Sequence, residues 1–246
     1  MAKGNSQAVF GYLLHLFGCK NAALRLYGAA FKKGTDRITP LGGYAQLLTD
    51  RRDFTTARSV FRRILSVSAN AGRKSALYSY TSRVNIVLAT WKCGELSHAI
   101  QLAEALAEQN RTALSLGIQG LLYIERSKTT GDYESAIRFC EEALEYDSDD
   151  PVLLDNLGQV LLFAGRLRRS EKYLRKALEK APDQTDSMGA LARVLVLEGK
   201  ADEAASWNEK ALAKKENPYR TLPQSFLRET QSLIDTANKA ETEASS

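Results

Sequence analysis

Long apolar runs, paired cysteines, clustered histidines and alternating β-branched stretches are all missing from this 246-residue chain, and each absence excludes a class of protein. The most apolar stretch, residues 8–18, is too short to cross a bilayer and is broken by His15. It also lacks the combined basic start, apolar run and small-residue cleavage site of a secretory signal. Cys19, Cys93 and Cys140 show no paired spacing, so reduced thiols and a cytoplasmic location are expected, with Cys140 buried as a small hydrophobe. The two histidines, His15 and His98, lie far apart, and neither belongs to a metal-ligand pattern. Gly42-Gly43 is followed by no Lys-Ser or Lys-Thr, which excludes a phosphate loop. Glu141-Glu142 and Asp149-Asp150 are paired only in sequence, and no serine sits in a nucleophile elbow. No catalytic residue, metal, cofactor or small-molecule substrate is therefore expected. Without alternating strands the fold class is all-α.

What is present is a pattern written repeatedly. Leu154, Leu157-Gly158, Leu161, Gly165, Ser170, Leu174 and Ala177 return as Met188, Leu191-Ala192, Leu195, Gly199, Ala204, Asn208 and Ala211, each 34 residues on (188 − 154, 211 − 177). Large apolar places recur at i, i+3, i+4 and i+7, the signature of amphipathic helices. Gly158 and Ala177 are small because two helix backbones approach closely there. Glycines 18, 94, 131, 165 and 199 supply the turn between paired helices.

This pattern resembles the tetratricopeptide repeat, a helix, a tight turn and a second helix. The resemblance implies a right-handed superhelical solenoid whose first helices line a concave groove. Six repeats are expected at about 4–37, 38–71, 80–113, 114–150, 151–184 and 185–218. Gly72 to Ser79 falls outside the period, as a longer connection or as an extension of the third repeat's first helix. In the fourth repeat two registers compete. Tyr123-Ile124 can hold the Leu-Gly place, or Gly120 and Tyr123 supply the motif with about four residues inserted around Ser127–Thr130; the second also restores the period. A capping helix is expected at 221–238, with Phe226, Ile234 and Leu233 turned to the last repeat, followed by a disordered tail at 239–246.

A groove of this kind binds a peptide or helix of a partner protein, and the first-helix places between core landmarks are its walls. These give Tyr12, His15, Gln46, Asn85, Leu88, Trp91, Asn156, Gln159, Phe163 and Arg193 as the peptide-binding set. Trp91 and Phe163 fit equally as aromatics widening the core. Family members that grip a C-terminal carboxylate carry lysines where this chain has Ala8 and Gly42, so no such clamp is expected.

Two other readings compete with the scaffold. Thirty-four basic against 29 acidic residues give +5, concentrated at 51–63 and 166–180. An Arg-rich convex face could meet nucleic acid, although interleaved exposed aromatics are missing and a solvated charged face accounts for it. The apolar 8–17 face could instead dock against a membrane protein, making the chain a membrane-proximal assembly factor.

Overall fold

The computed structural model describes residues 4–69, 76–215 and 217–244. Among these residues every regular element is an α-helix, and no strand occurs. The helices are α1 (Asn5–Leu16), α2 (Lys20–Lys32), α3 (Ile38–Asp50), α4 (Phe54–Ser68), α5 (Ala76–Lys92), α6 (Leu96–Gln109), α7 (Ala113–Thr130), α8 (Tyr133–Tyr146), α9 (Pro151–Phe163), α10 (Leu167–Lys180), α11 (Thr185–Leu197), α12 (Ala201–Ala213) and α13 (Gln224–Ala244). They form two compact units, residues 1–106 and 107–246, with the division falling in the last turn of α6.

The chain turns between paired helices at a left-handed residue. Gly18, Gly94, Gly131, Gly165 and Gly199 have φ from 71° to 85°, and Arg52 takes the same role at φ 61°. Glycine is favoured there because a Cβ would crowd the following carbonyl. Asp53 and Asp132 then cap the second helices by accepting from the backbone N–H of Thr56 and Ser135. Asp150 does so for α9, with Pro151 in the first turn.

In the first unit, Tyr27 of α2, Tyr44 of α3 and Phe61 and Ile64 of α4 share one core, which Ile86 of α5 joins. In the second, Leu157 and Leu161 of α9 pack with Ile137 and Cys140 of α8, and Leu191 and Leu195 of α11 with Leu174 and Leu178 of α10. The crossing of α9 on α10 is as close as its small residues imply. A Cβ on Gly158 would lie 2.6 Å from the Leu174 side chain, and Ser170 Oγ donates to the Gly158 carbonyl at 2.7 Å.

Three segments depart from the simplest repeat. Of Gly72–Ser79, residues 72–75 lie outside the described residues, and Ala76–Ser79 form the first turn of α5. The extra residues near Ser127–Thr130 continue α7, which has 18 residues against 13 in α9. Gly120 there faces Phe139 and Cys140 of α8, as Gly158 faces Leu174 of α10. The post-repeat helix starts at Gln224, and residues 239–244, expected to be disordered, extend it. Ala, Glu and Lys are good helix formers, so a polar stretch propagates a helix already nucleated by buried Leu227 and Ile234. Leu233, one of three residues expected to face the last repeat, is 40% exposed; Leu227, one place from Phe226, is fully buried instead.

Candidate binding surfaces

In the first unit α1, α3 and α5 surround an open cavity of about 680 Å³. Tyr12, His15 and Leu16 come from α1; Ile38, Thr39, Gly42, Gly43 and Gln46 from α3; and Tyr78, Thr81, Ser82 and Asn85 from α5. Phe61 and Ile64 of α4 complete the lining. No Lys, Arg, Asp or Glu is among these residues.

Two glycines shape the wall that α3 contributes. A side chain on Gly42 would meet nothing within 4 Å, so this residue opens the cavity without touching the fold. A Cβ on Gly43 would come within 2.8 Å of Tyr27 Oη and 3.2 Å of His15 Nδ1. That absence of bulk lets the His15 and Tyr27 side chains approach at 3.4 Å with their rings edge-on. Burial pushes the Tyr27 phenol up to about 12, with Tyr12 adding to the effect, so it stays protonated. The polar groups at the rim are short-range and neutral: Gln46 donates to Asp50 at 2.9 Å, and Asn85 to the Thr81 carbonyl at 2.8 Å.

Tyr12, His15, Gln46 and Asn85 are thus brought together. Leu88 and Trp91, further along α5, are half-buried and outside that lining, with the Lys92 ammonium 3.6 Å above the indole.

The four candidates in the second unit have a different fate: the chain itself engages them. Asn156 is buried and donates to the Gly117 carbonyl of α7 at 2.7 Å. Gln159 donates to Asp155 at 2.7 Å and accepts from Thr221 at 3.1 Å. Phe163 meets Phe226 of α13 edge-on at 6.4 Å. Arg193 donates to Thr230 at 2.8 Å and to the Phe226 carbonyl at 2.9 Å, with its guanidinium over the Phe226 ring. Gln159, Phe163 and Arg193 thus engage α13 and the segment before it, while Asn156 ties α9 to α7.

Beneath them lies a polar cluster that the repeat pattern does not reveal. Asp155 accepts from Ser187 at 2.6 Å and from Gln159. Burial pushes its carboxyl up to about 7, the Asp186 charge adds to this, and the hydrogen bonds oppose it. Asp186 in turn accepts from Arg220 at 2.8 Å and from the Thr221 hydroxyl at 2.8 Å. A single acid in the otherwise apolar run of α9 was its one sequence signal.

Several basic residues at the start of or along the second helices meet carboxylates, most of them on an adjacent repeat. Arg166 meets Glu134, Arg169 meets Glu141, Arg175 meets Glu171 and Glu203, and Lys180 meets Asp149. In the first unit Arg58 pairs with Glu95, and Arg63 donates to the Gly34 carbonyl. Lys200 and Arg175 together hold the Glu171 carboxyl down at about 2. Among the described residues no group of three His, Cys, Asp or Glu could hold a metal ion, and no helix is long and apolar enough to cross a membrane.

Comparison with known proteins agrees with this architecture. The tetratricopeptide repeat family matches residues 156–220, and a second description of the same repeat matches 127–150. A TPR repeat-containing protein of Pseudomonas aeruginosa is 31% identical over 78 residues, which are 32% of this chain and 13% of that protein. Among solved structures, a tetratricopeptide repeat protein from Parabacteroides merdae has a TM-score of 0.64 at 17% identity, covering 96% of this chain and 87% of its own. The Cut9–Hcn1 hetero-tetramer of the APC/C gives 0.60 at 13% identity, covering 96% of this chain and 43% of that one. At such identities the solved structures speak to the fold alone.

Proposed function

We propose that this chain, a member of the tetratricopeptide repeat family, is a non-enzymatic scaffold that takes an uncharged, apolar segment of a partner protein into the cavity between α1, α3 and α5. Tetratricopeptide repeats generally mediate protein–protein interaction. The observation that carries the narrower reading is the cavity lining: apolar walls, a few polar groups, and no Lys, Arg, Asp or Glu. Large apolar anchors on a peptide or helix suit such a wall, and Gln46, Thr81 and Asn85 offer hydrogen bonds to its backbone. A terminal carboxylate finds no Lys or Arg there. The open site belongs to the first unit; Gln159, Phe163 and Arg193 are assigned to holding the C-terminal segment, and Asn156 to tying α9 to α7.

The electrostatic alternative loses ground for a physical reason. Arg58, Arg166, Arg169, Arg175 and Lys180 already face carboxylates, which leaves less free charge for phosphates. A cytoplasmic location goes with the scaffold reading. It rests on three cysteines without disulfide partners, of which buried Cys140 has its thiol pushed up to about 12 and is inert.

Selection of short random peptides on the immobilised protein tests the proposal. Enriched sequences should carry two or more large apolar residues with no charge between them. Their capture should change little between about 0.05 and 0.5 M salt. Enrichment of strongly charged sequences whose capture collapses with salt would replace the cavity with the Arg-rich wall.

A further inference from the structure

Among the described residues, α1 carries an apolar face that no other element covers. Val9, Phe10, Leu13, Leu16 and Phe17 are 46%, 58%, 44%, 65% and 81% exposed. Their spacing of i, i+1, i+4, i+7 and i+8 sets them in one stripe along α1 and its C-terminal end.

The repeat register shows what such a stripe is built for. Phe10 and Leu13 hold the seventh and tenth places of their repeat. The same places elsewhere are Tyr44 and Leu47, Ile86 and Ala89, Leu157 and Val160, and Leu191 and Val194, and all eight are buried. Tyr44 packs on Tyr27 and Phe31 of the preceding helix, Leu157 on Ile137 and Cys140, and Leu191 on Leu174 and Leu178. These places therefore receive a helix. In the second unit α13 covers the last helix pair, and turns Arg228, Glu229, Ser232 and Asp235 outward. A polar outer face is what a capped array needs, and α1 does not have one.

We propose that the stripe pairs with the α1 stripe of a second copy of this chain, antiparallel across a two-fold axis. It is self-complementary about Leu13. In that arrangement Val9 faces Phe17 of the second copy, Phe10 faces Leu16, and Leu13 faces itself (9 + 17 = 10 + 16 = 13 + 13). Asn5–Leu16 holds no Lys, Arg, Asp or Glu, so two copies bring no like charges together. His15, its one titratable side chain apart from tyrosine, is turned to Tyr27. The exposed parts of the five side chains amount to on the order of 500 Å² per copy, or about 1,000 Å² for the pair, the lower threshold for a biological interface and the size of a weak, reversible one.

Sedimentation equilibrium of the full chain across the micromolar range tests this. The wild-type chain should dimerise reversibly. Leu13→Glu and Leu13→Lys should each weaken dimerisation at least tenfold with an unchanged far-ultraviolet spectrum. Mixing the two variants should restore a dimer, because Glu then faces Lys across the axis. Phe17→Glu and Val9→Lys form a second such pair at more exposed positions, and serve if substitution of Leu13 disturbs the fold. A wild-type chain that stays monomeric would overturn the proposal, including one that instead sediments with anionic lipid vesicles. So would variants that dimerise as well as the parent, or folded variants whose mixture stays monomeric.

Discussion

A single side chain at position 42 separates binding from folding. Gly42 sits inside α3 with nothing within 4 Å of where its Cβ would be, so the side chain of Gly42→Trp starts in open space at the cavity wall. Removing a helical glycine should also stabilise α3 by up to about 1 kcal/mol. The melting temperature should hold or rise while capture of a selected peptide falls at least tenfold. Glycines elsewhere answer to different physics. Gly158→Ala drives a Cβ into Leu174 and should cost about 1–3 kcal/mol. Gly199→Ala meets no atom but must hold φ 78°, at a cost of about 1 kcal/mol; denaturant titration ranks the two. Asp155 sets a pH dependence. Its folded pKa of about 7 lies above the unfolded value, so the native state binds the extra proton between about pH 4 and 7. The contribution of Asp155 to stability is then greatest below that window and declines as pH rises through it. The full difference is on the order of 2–4 kcal/mol, and Asp155→Asn should flatten the slope of melting temperature against pH.

Among the elements, α13 is the one whose role the sequence conveyed least. Its existence and amphipathic stripe were legible from Phe226 and Ile234, because helical spacing alone reveals a buried face. What could not be read was where that face lands. Leu227 seats against Gly189, and the Arg193, Gln159 and Phe163 side chains that resembled an open groove reach the C-terminal segment instead. Such contacts join residues 33 to 63 positions apart, and periodicity carries no information about them. The turns were different: glycine at 18, 94, 131, 165 and 199 announced a left-handed residue locally, and only Arg52 was hidden by its identity. The long α7 shows the same limit, since Ser127–Thr130 prolong a helix without altering the next repeat. Leu227→Ala removes a fully buried side chain and should cost about 2–5 kcal/mol. Hydrogen exchange should show α13 opening in that variant while α1 to α4 keep their protection.

At the scale of the whole molecule, two units built from one repeat differ in what covers their first helices. In residues 1–106 the side chains of α1, α3 and α5 leave a neutral cavity open; in 107–246 the corresponding residues hold the chain's own C-terminal segment. Binding should therefore map to one unit, and charge reversal at the exposed Arg62 on α4 should leave capture intact. Hydrogen exchange on the wild-type chain, with and without a selected peptide, is the most direct measurement. The expected result is new protection confined to residues 12–16, 39–46 and 78–85, with no change in α9, α11 or α13. Protection appearing on α10 and α12, or around Arg193 and Phe226, with none around Gly42, would contradict it.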